Sequence, residues 1–177
     1  MNQLWAPWRL EYVAAARQPG CVFCAAHRSP APNRELLVLY RDPAAVVLLN
    51  RFPYQNGHLL VCPALHTGDP GGLDAPVFAH LAELVRRALD ILRQEYRAEG
   101  FNVGMNLGAC AGAGITDHLH WHVVPRWTGD TNFLPVLADV RSIPEHLERT
   151  WERLWPAFAD LRLTPPQDPP AESSPAP

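Results

Sequence analysis

The chain has 177 residues, 47% of them hydrophobic and 19% charged, with a formal net charge of −3 at pH 7. This size predicts one globular domain, and the charge gives no basic surface for nucleic acid or for a membrane. All 15 basic residues are arginine, which excludes mechanisms that need a lysine, such as a P-loop or a Schiff base. The sequence has neither a signal-peptide pattern nor a run of about 18 apolar residues, so a cytoplasmic protein is expected.

Three short strands are predicted between residues 36 and 63. The runs LLVLYRD, AAVVLLN and HLLVCP are rich in Val and Leu and are separated by turn residues. Because their connections are too short for crossover helices, the strands are expected to be antiparallel. A helix follows over residues 76 to 98, where apolar residues recur at three- and four-residue steps, and it ends by Gly100. His80 on this helix is predicted to face solvent and is given no role.

The second half of the chain predicts two further strands and one helix. FNVGMNLG is the fourth strand, AGAG a turn, and HLHWHVVP the fifth strand, which stops at Pro125. The last helix is expected near residues 144 to 158, with Ser142 as its N-cap and Pro144 in its first turn. His146 on this helix is also predicted to face solvent.

These elements predict an α+β domain with a single antiparallel five-stranded sheet and two main helices. The domain is expected to span residues 1–163. The last fourteen residues, TPPQDPPAESSPAP, hold six prolines and nothing large enough to pack, so residues 164–177 are expected to be a disordered tail.

The stretch DHLHWHVVPRW holds three of the eight histidines at alternating positions. Successive side chains on a strand point to opposite faces, so His118, His120 and His122 are predicted on one face, with Leu119 and Trp121 on the core face. A single half-buried histidine usually makes ordinary hydrogen bonds, but burying three imidazoles together costs desolvation unless each has a partner. The pattern therefore predicts an assembled site. A metal ion bound by all three histidines is an alternative. It is less favoured because other metal ligands lie upstream in the sequence.

A metal site is predicted near the amino terminus. Cys21 and Cys24 form a Cys-x-x-Cys pair, which favours metal or redox chemistry in a chain without a secretion signal. A thioredoxin-like motif is disfavoured because no βαβ unit surrounds the pair. With His66 and His118 they supply the four ligands of a structural zinc site that ties the amino-terminal segment to the sheet. His27 is a rival ligand.

With His118 assigned to zinc, His120 is the candidate nucleophile. An imidazole with a pKa near ~6.5 is mostly uncharged at neutral pH, and it can attack phosphorus and leave again. Small residues at positions 111 to 114 allow backbone N–H groups to approach a phosphate, although an ordinary hairpin turn has the same composition. Asn106 can donate a hydrogen bond into the same space, or be a turn residue.

These motifs resemble those of the histidine triad (HIT) family. HLHWHVV fits the pattern His-x-His-x-His-x-x with apolar x, and NGHLLVCP fits the family's upstream strand. The similarity extends from LWAPWRLEYV to the last predicted helix and includes LLNRFPYQNGHLLVCP, FNVGMNLG, AGAGITDHLHWHVVPRW and GDTNFLPVLAD. Within the family the chain is similar to bacterial diadenosine tetraphosphate phosphorylases (ATP adenylyltransferases) and hydrolases. The resemblance implies a HIT-like fold, adenine nucleotides and dinucleoside polyphosphates as ligands, and a homodimer.

The resemblance also implies roles for individual residues. His120 would attack the α-phosphorus to form a nucleotidyl-histidine, His58 would support it, and His122 would bind the phosphate and the leaving oxygen. The family's zinc-binding members use the same two cysteines and two histidines as the set derived above. The implied substrate-binding residues are Asn50, Asn106, Gly112, Ala113, Gly114 and Trp127.

Two positions depart from the family pattern. Asn50 stands where other branches have an acidic residue that binds ribose. Gly114 lies in the loop where many members have a serine, so the contribution of that hydroxyl must come from the backbone, from water or from Thr116. Trp127 lies near the site by resemblance, although a tryptophan at a strand end is more often a packing residue.

The expected activity is cleavage of diadenosine tetraphosphate, with phosphorolysis and hydrolysis both open. Structural zinc is the expected cofactor. A nucleoside phosphoramidase of the same fold is one alternative, and a nucleotide-binding module without turnover is another. A uridylyltransferase is disfavoured because that branch has glutamine where this chain has His122.

Overall fold

The computed structural model of the protein describes residues 20–130 and 145–166. Within these ranges the chain forms five strands: β1 (Val38–Arg41), β2 (Ala45–Leu49), β3 (Leu59–Pro63), β4 (Gly100–Gly104) and β5 (Trp121–Arg126). The same ranges contain three α-helices: α1 (Val22–Arg28), α2 (Ala75–Tyr96) and α3 (Leu147–Ala159). Two single 3₁₀ turns cover Pro70–Gly72 and Ala109–Ala111.

The five strands form one antiparallel sheet in the order β1-β2-β3-β5-β4, which confirms the predicted α+β architecture. β5 enters between β3 and β4, and His122 pairs with Leu60 on one side and with Gly104 on the other. This position places the histidine of β5 inside the sheet, with a hydrogen-bonded strand on both sides.

Alternation along the strands divides the sheet into two faces. Odd-numbered residues such as Val61 and Val123 belong to the larger core, which α2 and α3 cover. Even-numbered residues such as Leu60 belong to a smaller cluster, where α1 packs Phe23 and Ala26. The face that carries His122 is therefore the face on which α1 lies.

The fifth strand begins later than predicted. β5 starts at Trp121, so the prediction that all three histidines lie on the strand is wrong. The last ladder pair joins Val61 to Trp121, and the N–H of Leu119 donates instead to the carbonyl oxygen of Thr67, at 2.6 Å. The chain therefore leaves the sheet before the strand begins, and His118 and His120 lie in this extended entry segment.

The fourth strand and the long helix also end earlier than predicted. β4 stops at Gly104, so the rest of FNVGMNLG is a loop. α2 ends at Tyr96 because Arg97 adopts the left-handed conformation, with φ at 51°, and Gly100 instead begins β4.

The prediction that His80 faces solvent is wrong. Its side chain is buried, with a relative exposure of 7%, because it lies three residues after Val77 and four before Leu84 on the apolar side of α2. His80 Nε2 lies 2.6 Å from a carboxylate oxygen of Asp42, which is buried as well.

The last helix begins at Leu147 with His146 as its N-cap, so Ser142 is not the cap, and Ser142 and Pro144 lie outside the described residues. His146 is exposed, as predicted. The Trp151 indole is buried, and its Nε1 donates to the carbonyl oxygen of Val38 at 3.1 Å. This contact fixes α3 against β1.

Several predicted segments lie outside the described residues. They are LWAPWRLEYV, most of GDTNFLPVLAD, and residues 167–177 of the tail. The boundary between domain and tail stays a prediction. No helix within residues 20–130 and 145–166 is both long enough and apolar enough to cross a membrane.

Candidate active site and metal centre

The four predicted metal ligands lie together between α1 and the sheet. The ligand atoms of Cys21, Cys24, His66 and His118 all lie within 4.8 Å of one another. His118 Nδ1 is 3.2 Å from Cys21 Sγ, 3.5 Å from Cys24 Sγ and 3.2 Å from His66 Nδ1. Zinc bonds of about 2.0 to 2.3 Å place the ligand atoms of a tetrahedron roughly 3.3 to 3.8 Å apart. The donor set and its spacing fit a tetrahedral zinc ion.

Local structure brings the four ligands together from three segments. Cys21 is the N-cap of α1 and Cys24 follows three residues later, so both thiols lie on one side of the first turn. His66 follows β3, and His118 lies three residues before β5. A metal ion bound by this set joins α1 to two central strands of the sheet.

A hydrogen bond orients the His118 imidazole of the metal centre, and a carboxylate lies near the His66 imidazole. His118 Nε2 donates to the carbonyl oxygen of Pro63 at 3.0 Å, which leaves the lone pair on Nδ1, the atom that faces the cysteines. His66 Nε2 lies 3.6 Å from the carboxylate of Asp117. The hydrogen bond to Pro63 fixes the tautomer and direction of the His118 imidazole, as is usual for metal-binding histidines.

The charged form of the Cys24 thiol is disfavoured in the folded protein. Burial, and then the neighbouring Cys21, raise the pKa of the Cys24 thiol to about 11. Thiolates are the form that binds zinc, so metal binding releases protons and weakens as the pH falls.

His27, the rival ligand, lies elsewhere. Its Nε2 donates to the backbone carbonyl oxygen of Asp42 at 2.9 Å, in the turn between β1 and β2.

The side-chain carboxylate of Asp42 accepts two other hydrogen bonds, from His80 Nε2 at 2.6 Å and from the Tyr40 hydroxyl at 2.9 Å. Together with the bond from His27, these bonds join α1, the β1–β2 turn and α2. The buried pair of Asp42 and His80 was not among the residues predicted from sequence.

His120 has a defined tautomer. Its Nδ1 lies 2.9 Å from the carbonyl oxygen of His118, and its side chain is buried, with 7% exposure. Because a carbonyl oxygen can only accept, Nδ1 carries the proton and Nε2 of the neutral ring carries the lone pair. Nε2 is therefore the atom of His120 that can act as a nucleophile.

His58 and His122 form a hydrogen-bonded pair beside His120. The backbone N–H of Tyr54 donates to His58 Nδ1 at 3.1 Å, so the His58 proton lies on Nε2. His58 Nε2 in turn lies 3.0 Å from His122 Nδ1 and donates to it. The His122 proton therefore lies on Nε2, and the His122 and His120 ring centroids are 4.9 Å apart.

Burial keeps this histidine pair uncharged. Desolvation, followed by the neighbouring His122 and His120, lowers the pKa of His58 to about 3. Desolvation, followed by His120, lowers the pKa of His122 to about 4. Both rings are neutral near pH 7, and His122 presents an N–H donor.

Asn50 supports the loop that holds His58. Its Oδ1 accepts from the N–H of Phe52 at 3.0 Å, and its Nδ2 lies 3.3 Å from His58 Nδ1. The ring of Tyr54 packs on His58 with centroids 4.8 Å apart. We predicted Asn50 only as a contact of ribose and did not predict Tyr54, although Asn50 directly precedes the segment RFPYQNG and Tyr54 lies within it.

Asn106 lies two residues beyond β4. The last pair of the ladder between β4 and β5 joins Gly104 to His122. The amide nitrogen of Asn106 lies 4.0 Å from the point where a Cβ on Gly112 would stand. The structure therefore brings Asn106 and the small-residue loop together.

The backbone of that loop is partly engaged. The N–H of Gly112 donates to the carbonyl oxygen of Ala109 at 3.0 Å, and the N–H of Ala113 donates to the carbonyl oxygen of Gly108 at 3.3 Å. Gly112 has φ at +87°, which favours glycine. In the part of the chain that the structure describes, the N–H of Gly114 has no hydrogen-bond partner. Of the three backbone positions predicted to bind phosphate, Gly114 is therefore the one whose N–H is available to a ligand.

Trp127 does not join the other predicted site residues. Its indole Nε1 donates to the carbonyl oxygen of Tyr96 at 3.1 Å, and the two rings are 6.5 Å apart. Tyr96 ends α2, the helix on the sheet face opposite His122.

Phe23 is a neighbour of the histidines that the sequence analysis missed. Its ring centroid lies 5.3 Å from that of His118 and 4.9 Å from that of His120. The sequence feature that could have indicated this contact is the position of Phe23 between Cys21 and Cys24.

Comparison with known proteins identifies relatives over most of the chain. The HIT domain model matches residues 32–129. An AP-4-A phosphorylase of Mycobacterium tuberculosis is 35% identical over 162 residues, which cover 85% of this chain and 80% of the relative. The crystal structure of a zinc-bound histidine triad family protein from Mycobacterium smegmatis is 32% identical, with a TM-score of 0.62, over 78% of this chain and 93% of that one. An adenylylsulfatase of Arabidopsis thaliana is 32% identical over 109 residues, 62% of this chain and 53% of the relative.

Proposed function

The chain belongs to the HIT domain family, and from this membership and the geometry of its histidines we propose that it cleaves dinucleoside polyphosphates such as diadenosine tetraphosphate. The observation that carries the proposal is the hydrogen bond of 2.9 Å from His120 Nδ1 to the carbonyl oxygen of His118. It leaves the Nε2 lone pair of a buried imidazole beside the N–H donor of His122.

In the first step, His120 Nε2 attacks the α-phosphorus of the substrate. A P–N bond forms, the P–O bond to the remaining phosphates breaks, and the electron pair leaves with that oxygen as a nucleoside triphosphate. The His120 ring gains positive charge, which the carbonyl oxygen of His118 stabilises through Nδ1–H. The leaving phosphate group is a stable anion and needs no proton.

In the second step, an acceptor attacks the nucleotidyl-histidine. The P–N bond breaks and its electron pair returns to His120 Nε2. Inorganic phosphate as acceptor gives a nucleoside diphosphate. Water as acceptor gives a nucleoside monophosphate and releases a proton to the solvent. We propose phosphorolysis, because the relative from Mycobacterium tuberculosis is an AP-4-A phosphorylase.

The other groups bind and orient the reacting phosphate. His122 Nε2–H donates to a phosphate oxygen, and His58 is a positioning residue that holds the His122 tautomer. Asn106 and the N–H of Gly114 are further donors to the phosphate, and Gly114 lies in the loop where many family members have a serine. Asn50 positions His58 through the Tyr54 loop, and its contact with ribose stays a prediction.

Cys21, Cys24, His66 and His118 would bind zinc as a structural ion. Zinc in such a site supplies a crosslink, and structural zinc contributes roughly 10–16 kcal/mol of apparent binding free energy. The zinc-bound histidine triad protein of Mycobacterium smegmatis supports this metal.

The test is product analysis with phosphate as the variable. Diadenosine tetraphosphate incubated with the protein and inorganic phosphate should give ADP and ATP, whereas hydrolysis gives AMP and ATP. If the substrate is consumed in neither condition, the proposed activity is wrong.

A second candidate is the cleavage of other adenylyl compounds, because one relative is an adenylylsulfatase. The first step would be the same attack on the α-phosphorus, with a different leaving group. Adenosine phosphosulfate and an adenylyl-lysine phosphoramidate should be compared with diadenosine tetraphosphate by kcat/KM, and we expect the dinucleotide to be preferred.

We also propose that the protein is a homodimer and that it does not bind nucleic acid. The family resemblance supports the homodimer, and the net charge of −3 supports the absence of nucleic-acid binding. Light scattering of the purified protein gives the mass in solution, and a filter-binding assay tests nucleic acid.

A further inference from the structure

Phe23 connects the metal centre to the proposed nucleophile. It lies between Cys21 and Cys24 in α1, and its side chain is buried, with 3% exposure. Its ring meets the His118 ring edge-on, with centroids 5.3 Å apart and planes at 67°. The same ring lies 4.9 Å from the His120 ring, at 38°. One phenyl group therefore contacts both a metal ligand and the imidazole next to it in the triad.

The His120 ring has neighbours in two other directions. The His122 ring lies 4.9 Å away at 66°, and Nδ1 is bonded to the carbonyl oxygen of His118. Turning the His120 imidazole about its χ2 angle would break that bond and move the ring against Phe23 or His122. Packing on both sides therefore favours the ring orientation in which Nε2 carries the lone pair.

We infer that Phe23 is a positioning residue for His120, held in place by the two cysteine ligands on either side of it. The inference rests on the proposed function, in which His120 is the nucleophile. The metal ligands fix the first turn of α1, the turn fixes the phenyl ring, and the ring holds the His120 imidazole. Loss of this contact changes the orientation of the nucleophile and leaves the groups that bind the phosphate in place.

The test compares two neighbouring substitutions in α1. Phe23→Leu keeps an apolar side chain but removes the ring, whereas Val22→Ala alters a residue that is 51% exposed and serves as the control. In zinc-loaded protein, Phe23→Leu should lower kcat by about 10- to 100-fold, because small displacements of a reacting group slow catalysis by such factors. KM should change by less than about twofold, because ground-state binding is untouched. Zinc content should equal that of the wild type in both variants.

A spectroscopic measurement without substrate tests the same inference independently. Imidazole ¹⁵N spectra, assigned with His120→Ala, report which ring nitrogen of His120 carries the proton. We expect Nδ1–H alone in the wild type and in Val22→Ala, and a mixture of both tautomers in Phe23→Leu. If the wild type fails to cleave any adenylyl substrate, the proposed function is wrong, but this spectrum still decides the role of Phe23.

Three results would overturn the inference. The first is a kcat and a His120 tautomer in Phe23→Leu that match those of Val22→Ala. The second is a rise in KM that accounts for the whole loss of kcat/KM. The third is loss of zinc or of cooperative unfolding in both Phe23→Leu and Phe23→Met, which would make Phe23 a packing residue of the metal centre.

Discussion

The Nδ1–H of His120 donates a hydrogen bond of 2.9 Å to the carbonyl oxygen of His118, the residue whose own Nδ1 faces the cysteine pair. His118 therefore has two roles, one for its side chain and one for its backbone. The His118 side chain belongs to the metal centre, and its backbone fixes the tautomer of the proposed nucleophile. We therefore expect substitutions of a metal ligand to lower stability, and substitutions of His120 to lower turnover.

Removal of the proposed nucleophile should abolish turnover without unfolding the protein. We expect His120→Ala to lower kcat by about 10³-fold or more, since loss of a nucleophile removes the covalent route. Zinc content and the Kd for a nucleotide should stay close to those of the wild type. His146→Ala is the matched control, because His146 is exposed and its side chain makes no cap hydrogen bond. Equal activity in the two variants would contradict the assigned role.

Removal of one metal ligand should lower stability strongly. We expect Cys24→Ser to lose zinc and to lower Tm by about 10 °C or more, since each kcal/mol lost shifts Tm by about 2–4 °C in a domain of this size. Thermal unfolding and metal analysis measure both effects. Cys110→Ser, at an exposed cysteine, is the control and should change neither. An unchanged zinc content in Cys24→Ser would contradict the four-ligand site.

Stability should fall on acidification through the buried histidine pair. The folded-state pKa values of His58 and His122 are about 3 and about 4, and an unfolded histidine has a pKa near ~6.5. The unfolded chain therefore binds more protons below about pH 6.5, so this contribution is complete above that pH and is lost progressively toward pH 4.

Denaturant unfolding of the wild type and of His58→Gln from pH 4 to pH 7.5 measures this contribution. The zinc ligands are the same in both proteins, so the difference isolates the contribution of His58. The variant should show a flatter dependence of the unfolding free energy on pH. Parallel curves for the two proteins would contradict the neutral, buried state of the pair.

The buried pair of Asp42 and His80 should stabilise the fold at a distance from the triad. His80→Ala leaves the Asp42 carboxylate, which has 7% exposure, with fewer partners in the interior. We expect a loss of about 2–4 kcal/mol in the unfolding free energy, because a buried charge without its partner is costly. Arg93→Ala, which removes an exposed ion pair with Asp90, should cost less than about 1 kcal/mol. Equal losses in both variants would contradict the role of the buried pair.

The two faces of the sheet and the metal set could be predicted from sequence because both depend on local spacing. Alternation along β5 assigns His122 and Val123 to opposite faces of the sheet, and Cys21 and Cys24 have the spacing of a metal-binding pair. Both predictions use only the order of residues along the chain. They held even though β5 begins at Trp121.

The remaining features depend on contacts between distant segments. β5 starts late because Thr67 accepts the N–H of Leu119, a bond between two loops that no local pattern reports. The contact of Phe23 with His120 depends on where α1 packs on the sheet. His80 is different, because its spacing from Val77 and Leu84 already placed it on the buried side of the helix.

The most direct test of the central claim is mass spectrometry of the protein quenched during turnover of diadenosine tetraphosphate. We predict an adenylyl group bound to the peptide that contains the triad, located on His120 by fragmentation and absent from His120→Ala. Product formation without any covalent adduct, or an adduct on another histidine, would contradict the proposed mechanism.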